Sequence, residues 1–262
     1  MSRIEFYKYH GCGNDFILID NRENNIHLSN EEIANICHRR FGIGGDGLMF
    51  LGLKSGFDFS MKYYNSDGNP SSFCGNGGRC IVQFAIDLGI VKSTHTFFEF
   101  EDTKFTAKIL PDNRISLSMI DVFEIKKITD TEFEIQTGSP HYVKIVEDIN
   151  LLDIVDFGRK IRYSESYPKG INVNTVKIIS NQKLEMKTYE RGVEDETYSC
   201  GTGVVAATLV FDFYQNGTEN KMSIMTKGGD FEVSFDKISS QNYQNIKLIG
   251  PAKFVFKGVI HL

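Results

Sequence analysis

A chain of 262 residues can form one large domain or two of about 130 residues each. Its composition, 41% hydrophobic and 24% charged, is that of a globular protein and excludes wholesale disorder, while a formal net charge of −5 offers no basic field to a nucleic acid. The longest apolar runs, such as Val204–Phe211, fall short of the roughly 20 residues that span a bilayer. Charges at Arg3, Glu5 and Lys8 interrupt the apolar core that a signal peptide needs, so a cytoplasmic location is expected.

From the N-terminus, Phe16–Asp20 reads as a strand, and Asn30–Arg40 as an amphipathic helix capped by Ser29 or Asn30 with glutamates in its first turn. Leu48–Leu51 and Phe59–Tyr64 are short runs of strand character before Gly77–Leu88, a helix too apolar for a surface. A series of short β-branched and aromatic runs follows: Phe97–Phe100, Thr106–Leu110, Ile115–Met119, Phe133–Gln136, Tyr142–Val146, Asn172–Ile179 and Leu184–Tyr189. A second apolar helix, Gly203–Tyr214, precedes strands at Ser223–Met225, Phe231–Phe235, Asn245–Leu248 and Ala252–Phe256. Turn signals such as Pro111-Asp112-Asn113 separate these elements.

The 5 cysteines are an odd number, as expected of thiols in a reducing compartment. None lies in a Cys-x-x-Cys pair, so no structural metal site is expected. Cys12, Cys37 and Cys80 read as small buried apolar residues. Cys74 and Cys200 stand apart, because Cys74-Gly75-Asn76-Gly77 opens one apolar helix and Cys200-Gly201-Thr202-Gly203 opens the other, close to half the chain apart. This repeat predicts an α/β (α+β) fold of two pseudo-symmetric lobes, each a curved mixed or antiparallel sheet wrapped around a central helix. The expected N-terminal lobe is residues 1–120, and the C-terminal lobe is 121–251.

If both helix starts point into one cleft, their unpaired N–H groups and positive dipole ends form a carboxylate site flanked by two thiols. The same field favours thiolate over thiol. Such a pair suits inversion at the carbon beside the carboxylate: one thiolate removes the α-proton, and the other cysteine delivers a proton to the opposite face. The helix termini stabilise the enediolate-like carbanion, and nothing in the sequence requires pyridoxal phosphate or a metal.

Tyr64-Asn65-Ser66-Asp67-Gly68 leading to Cys74-Gly75-Asn76-Gly77-Gly78-Arg79-Cys80 resembles the first active-site motif of diaminopimelate epimerases. Tyr189-Glu190-Arg191-Gly192-Val193-Glu194-Asp195-Glu196-Thr197, running into Cys200-Gly201-Thr202-Gly203, resembles the second. His10–Phe16, Phe41–Gly47, Gly138–His141 and Lys169–Val173 are similar to further family motifs in the same order. The resemblance implies a cofactor-independent epimerase that interconverts LL- and meso-diaminopimelate for lysine and peptidoglycan precursor synthesis, acting as a homodimer, with the C-terminal strand at 252–262 returning to the N-terminal lobe. It also implies roles. Cys74 and Cys200 are the acid–base pair. Asn14, Asn65, Asn172 and Arg191 hold the distal amino acid, while Gly75, Asn76, Gly201 and Thr202 face the reacting carboxylate. His141 and Glu190 lie beside the cysteines.

Ser139 and Gly47 depart from the asparagine and glutamine that many family members carry at these positions, which leaves the exact substrate open. The alternatives are a cofactor-independent racemase of another amino acid, a phenazine-biosynthesis-like isomerase with a carboxylate base, and a non-catalytic amino-acid-binding protein. Arg191 with Asn65 and Asn172 favours a substrate with a distal carboxylate.

Overall fold

The computed structural model describes residues 3–262. The chain forms two compact units: one holds the residues up to Leu117 together with Pro251–Leu262, and the other holds Ser118–Gly250.

The first unit begins with the antiparallel hairpin β1 (Arg3–Gly11) and β2 (Asn14–Asp20). Helix α1 (Asn30–Cys37) carries the chain to β3 (Gly47–Gly52), which runs parallel to β2 and antiparallel to β4 (Phe59–Asn65). Helix α2 (Gly75–Asp87) then crosses to β5 (His95–Phe100), parallel to β4, and the antiparallel strands β6 (Thr103–Ile109) and β7 (Ile115–Ser118) follow.

The second unit opens with the short β8 (Ile125–Lys127) and then repeats this plan. The pair β9 (Glu132–Gln136) and β10 (Pro140–Val146) is antiparallel. Helix α3 (Ile154–Arg162) leads to β11 (Asn172–Ser180), parallel to β10 and antiparallel to β12 (Lys183–Glu190). After the three-residue β13 (Asp195–Thr197), helix α4 (Gly201–Gln215) leads to β14 (Lys221–Thr226), which is parallel to β12. The antiparallel β15 (Gly229–Lys237) and β16 (Tyr243–Gly250) complete the unit. The last strand, β17 (Lys253–His261), pairs antiparallel with β1, the place that β8 takes beside β9. Pairing sense and helix positions therefore follow the same order twice.

The two apolar helices form the centres of the units. Every residue of α4 from Gly201 to Asp212 is buried, and strands β9 to β12 and β14 to β16 all touch it, so the sheet has to curve around it. Helix α2 is buried from Gly75 to Val82 and packs on β1, β2, β3 and β17. Helix α4 cannot be a surface element, since an all-round apolar helix must bury every face, whereas α2 is enclosed through its first two turns and presents Gln83 and Asp87 toward solvent at its end. Among the described residues no helix is long and apolar enough to cross a membrane.

Helix boundaries differ from the sequence expectation in instructive ways. Helix α1 has the capping box, with Ser29 accepting from the Glu32 N–H and the Glu32 carboxylate accepting from the Ser29 N–H. It stops at Cys37, three residues before the expected Arg40, because the returning loop supplies other partners: Ile43 and Gly44 donate to the Ile36 carbonyl and Gly45 donates to that of Cys37. Both apolar helices start two residues earlier than expected, directly after the cysteines. Helix α3 has no counterpart in the sequence expectation. Asp153 caps it by accepting from Val155 and Asp156 N–H, and its Gly158 lies against the Tyr189 ring, where a Cβ would overlap ring atoms. Gly158→Leu is expected to lower stability by about 1–3 kcal/mol, seen as a lower urea midpoint with unchanged slope.

Candidate active site

Each cysteine occupies the N-cap of its helix in extended conformation, Cys74 at φ −114°, ψ 120° and Cys200 at φ −125°, ψ 113°. Neither sulfur caps its own helix. The first intrahelical bonds are Gly78 N–H to the Cys74 carbonyl, 2.8 Å, and Val204 N–H to the Cys200 carbonyl, 2.9 Å. The N–H groups of residues 75–77 and 201–203 thus precede the helical ladder and form the anion-seeking first turn. All 5 cysteines are thiols. Burial pushes the Cys37 thiol up to about 12 and Cys80 higher still, so both remain protonated packing residues.

Around Cys74 the side chains form a directional set. The Asn14 Nδ2 donates to the Asp46 carboxylate at 2.6 Å, which turns the Asn14 Oδ1 toward Asn76 Nδ2 (3.2 Å) and the Cys74 sulfur (3.6 Å). The Asn76 amide is oriented in turn by Arg79, whose Nη2 donates to Asn76 Oδ1 at 2.7 Å while Nη1 donates to the Gly75 carbonyl at 3.0 Å. The Arg79 guanidinium is fully buried one turn inside α2. Asp46 belongs to a network in which Arg39 bridges it to Asp15, 2.6 Å to each, and Lys8 pairs with Asp15 at 2.6 Å. Burial pushes the Asp15 carboxyl up, but Arg39 and Lys8 outweigh it and hold the group below its ordinary range. Asn65 ends β4 and closes a turn, accepting from Gly68 N–H on its carbonyl.

Around Cys200 the partners are hydroxyls, an imidazole and amides. The sulfur is 3.4 Å from Thr202 Oγ1, which lies 2.9 Å from His141 Nε2 and 3.1 Å from Ser139 Oγ. His141 Nδ1 faces Asn174 Nδ2 at 3.1 Å. Asn172 donates to Ser139 Oγ at 3.3 Å and to the Pro140 carbonyl at 3.2 Å, while its Oδ1 accepts from the Arg191 N–H at 2.9 Å. The Arg191 guanidinium reaches the carbonyls of Lys169 (3.3 Å) and Gly170 (3.4 Å), and among the described residues no carboxylate pairs with it. Glu190 ends β12 beside it and is half-buried.

The second unit therefore gathers Ser139, His141, Asn172, Arg191, Cys200 and Thr202, and the first gathers Asn14, Cys74, Gly75 and Asn76. Sequence reading missed Arg79, Asp46 and Asn174, which orient these groups, and Thr188, whose hydroxyl donates to Asn174 Oδ1 at 3.0 Å. Arg79 could have been found from its position as the one charged residue between Gly75 and Ile86 of α2. Gly47, flagged as a departure, answers to packing: a Cβ there would stand 2.6 Å from the Tyr63 ring and 2.5 Å from the Tyr64 carbonyl. Among the described residues no cluster of three or more His, Cys, Asp or Glu could hold a metal ion.

Solved structures with the same fold include a phenazine biosynthesis protein of the PhzF family from Bacillus anthracis, with a TM-score of 0.80 at 13% identity over 100% of both chains. Another is a hydroxyproline epimerase from Agrobacterium vitis, with a TM-score of 0.72 at 12% identity over 99% of this chain and 91% of that one. The fold is thus one that epimerases use. The family model described as diaminopimelate epimerase matches residues 6–122 and 133–255. The diaminopimelate epimerase of Flavobacterium psychrophilum is 45% identical, covering 98% of this chain and 100% of the relative. That of Chlorobaculum tepidum is 38% identical over 96% and 99%. The chain belongs to the diaminopimelate epimerase family, and it is accordingly an isomerase of the epimerase type.

His141 carries a pH signature. Burial, reinforced by the Arg191 charge, pushes its pKa down from 6.5 to about 3. Between these values the unfolded chain binds a proton that the folded chain does not, so stability is full above about 6.5 and falls as pH drops toward about 3. His141→Gln is expected to flatten the decline between pH 6.5 and 4, by up to about 1.4 kcal/mol per pH unit. Urea titrations at a series of pH values measure it.

Proposed function

We propose that this enzyme interconverts LL- and meso-diaminopimelate without a cofactor, with Cys74 and Cys200 as the two proton-transfer groups. One observation carries the reading: two units of the same plan each place a cysteine at the N-cap of a buried apolar helix whose first turn is rich in small residues. A single such site could hold an anion. A matched pair is what an inversion needs, because a proton leaves one face of the carbon while another arrives on the opposite face, and the reverse reaction exchanges the two roles.

The chemistry follows from the groups present. The reacting α-carboxylate takes the first-turn N–H groups at Gly75, Asn76, Gly201 and Thr202, which stabilise the negative charge that develops on its oxygens. The thiolate of one cysteine removes the α-proton, and the thiol of the other protonates the opposite face of the carbanion. The distal carboxylate pairs with Arg191, whose carbonyl contacts leave its charge uncompensated, and the distal amine takes oxygen acceptors from Asn14, Asn65 and Asn172. His141 and Glu190 stand near the reacting amine.

Proton NMR in deuterated water tests the proposal, with reduced enzyme and LL-diaminopimelate. Loss of the α-proton signal with formation of the meso isomer is expected, reduced about 10²–10⁴-fold in Cys74→Ala and Cys200→Ala. Exchange with a monocarboxylic amino acid but not diaminopimelate would move the substrate and keep the mechanism. In Arg191→Ala, KM is expected to rise far more than kcat falls, since the distal end binds without reacting.

We also infer a cytoplasmic homodimer. Strand β8 exposes two lysines in its 3 residues, a common way of blunting a sheet edge, but β17 in the corresponding place has 9 residues with Phe254, Val255 and Phe256 about half exposed. A second copy, pairing through a twofold axis, would cover that edge with the same strand. Val255→Lys is expected to shift the sedimentation coefficient from dimer to monomer.

A further inference from the structure

The register of the two units puts different chemistry at the same positions. In the first unit Phe16 on β2 faces Gly47 on β3, and two residues on Met49 faces Tyr63 on β4. In the second, His141 on β10 faces Asn172 on β11, and two residues on Asn174 faces Thr188 on β12. The helices give the same alignment. A Cβ built on Gly77, third residue of α2, would meet the Met49 methyl, and one on Gly203, third residue of α4, would meet Asn174 Oδ1 at 2.6 Å. All four side chains, Phe16, Met49, His141 and Asn174, are fully buried. Phenylalanine and methionine satisfy the fold at these positions, so packing alone does not call for an imidazole and an amide.

The hydrogen bonds around Asn174 run in one direction only. Its Nδ2 is 3.0 Å from the Tyr142 carbonyl oxygen, which can only accept, and its Oδ1 accepts from the Thr188 hydroxyl at 3.0 Å. Turning the amide over would set two acceptors against each other. The second N–H of Nδ2 therefore points at His141 Nδ1, 3.1 Å away, which must hold a lone pair. The ring proton is left on Nε2, where Thr202 Oγ1 at 2.9 Å is the nearer acceptor and Ser139 Oγ at 3.2 Å the farther, so it is donated to Thr202.

We propose that Asn174 is a positioning residue for Cys200, locking His141 as the neutral Nε2–H tautomer so that the Thr202 hydroxyl follows the charge state of the sulfur. The inference rests on the acid–base role of Cys200 given above. With its oxygen occupied by the imidazole proton, Thr202 keeps its own proton to donate. It donates to the Cys200 thiolate in one state. In the other it accepts from the thiol on its second lone pair and donates to Ser139 Oγ, 3.1 Å away. Only hydroxyl hydrogens rotate; no heavy atom moves and the ring never takes the proton. The charged or titratable groups facing the ring are Arg191 and, through Thr202, Cys200. Its other neighbours, Ser139 just before β10, Ile135 from β9, Asn172 and Asn174 from β11 and Gly203 from α4, are neutral.

Two-bond proton–nitrogen spectra of the full chain labelled with ¹⁵N-histidine test this directly, the His141 ring being assigned by its loss in His141→Gln. Across pH 5–9 the wild-type ring is expected to show one neutral tautomer, protonated at Nε2. Asn174→Met, which installs the residue found at the matching place in the first unit, should fold, populate both tautomers and lower kcat on the order of tenfold to a hundredfold, with KM within about twofold. Asn174→Asp should accept from Nδ1–H, make the ring titrate within the range and add an acid limb to the pH profile of kcat. A wild-type ring protonated at Nδ1, or titrating above pH 5, overturns the proposal, as does Asn174→Met with unchanged tautomer and kcat. Failure of the underlying reading looks different: Cys200→Ala would keep turning over while the tautomer stayed as described.

Discussion

Burying the start of a helix, first turn included, is the constraint on which this structure depends. Helix α4 from Gly201 to Asp212 and helix α2 from Gly75 to Val82 are buried on every side, each enclosed by its sheet. Enclosure brings the start of each helix into the protein, where N–H groups without helical partners are costly to leave unmet. A carboxylate is the natural partner for such groups. A cysteine at the cap, too weak an acceptor to take them over, leaves the turn open to it. In the proposed mechanism fold and chemistry share one origin, and the residues of the two motifs serve both.

The two units solve the surroundings of their cysteines differently. Around Cys74 the oriented groups are amides held by charges, Asn14 by Asp46 and Asn76 by Arg79. Around Cys200 they are hydroxyls held by an imidazole and two amides. Duplication of the pairing order did not carry over to the polar residues. Phe16 and Met49 in one unit answer to packing, and His141 and Asn174 in the other form a buried polar network that costs stability unless every member is satisfied. The Thr188 hydroxyl and the Tyr142 carbonyl complete that satisfaction.

The same logic explains which parts of the site could be read in advance. Cys74, Cys200 and their glycines were legible because a helix start announces itself locally, through small residues before an apolar run. Arg191 and Asn172 stood out only through their motifs. Asn174 looked like one polar residue inside a strand pattern, and Thr188 like ordinary β-branched composition. Their roles come from cross-strand register, which no window of sequence contains. Helix α3 was hidden for a related reason: Gly158 interrupts its apolar stripe and makes sense only beside Tyr189.

What the sequence determined alone was the repeat, the apolar character of two helices, the strand-rich remainder and the family. Each depends on composition, on neighbours within a few residues, or on the order of such local motifs along the chain. Tertiary structure decided where α1 ends, because a returning loop takes over its last carbonyls. It also decided which way each site amide points and which nitrogen of His141 bears a proton. Those outcomes depend on donors and acceptors brought together from distant strands, and hydrogen bonding inside a protein is directional, so only the folded chain can settle them.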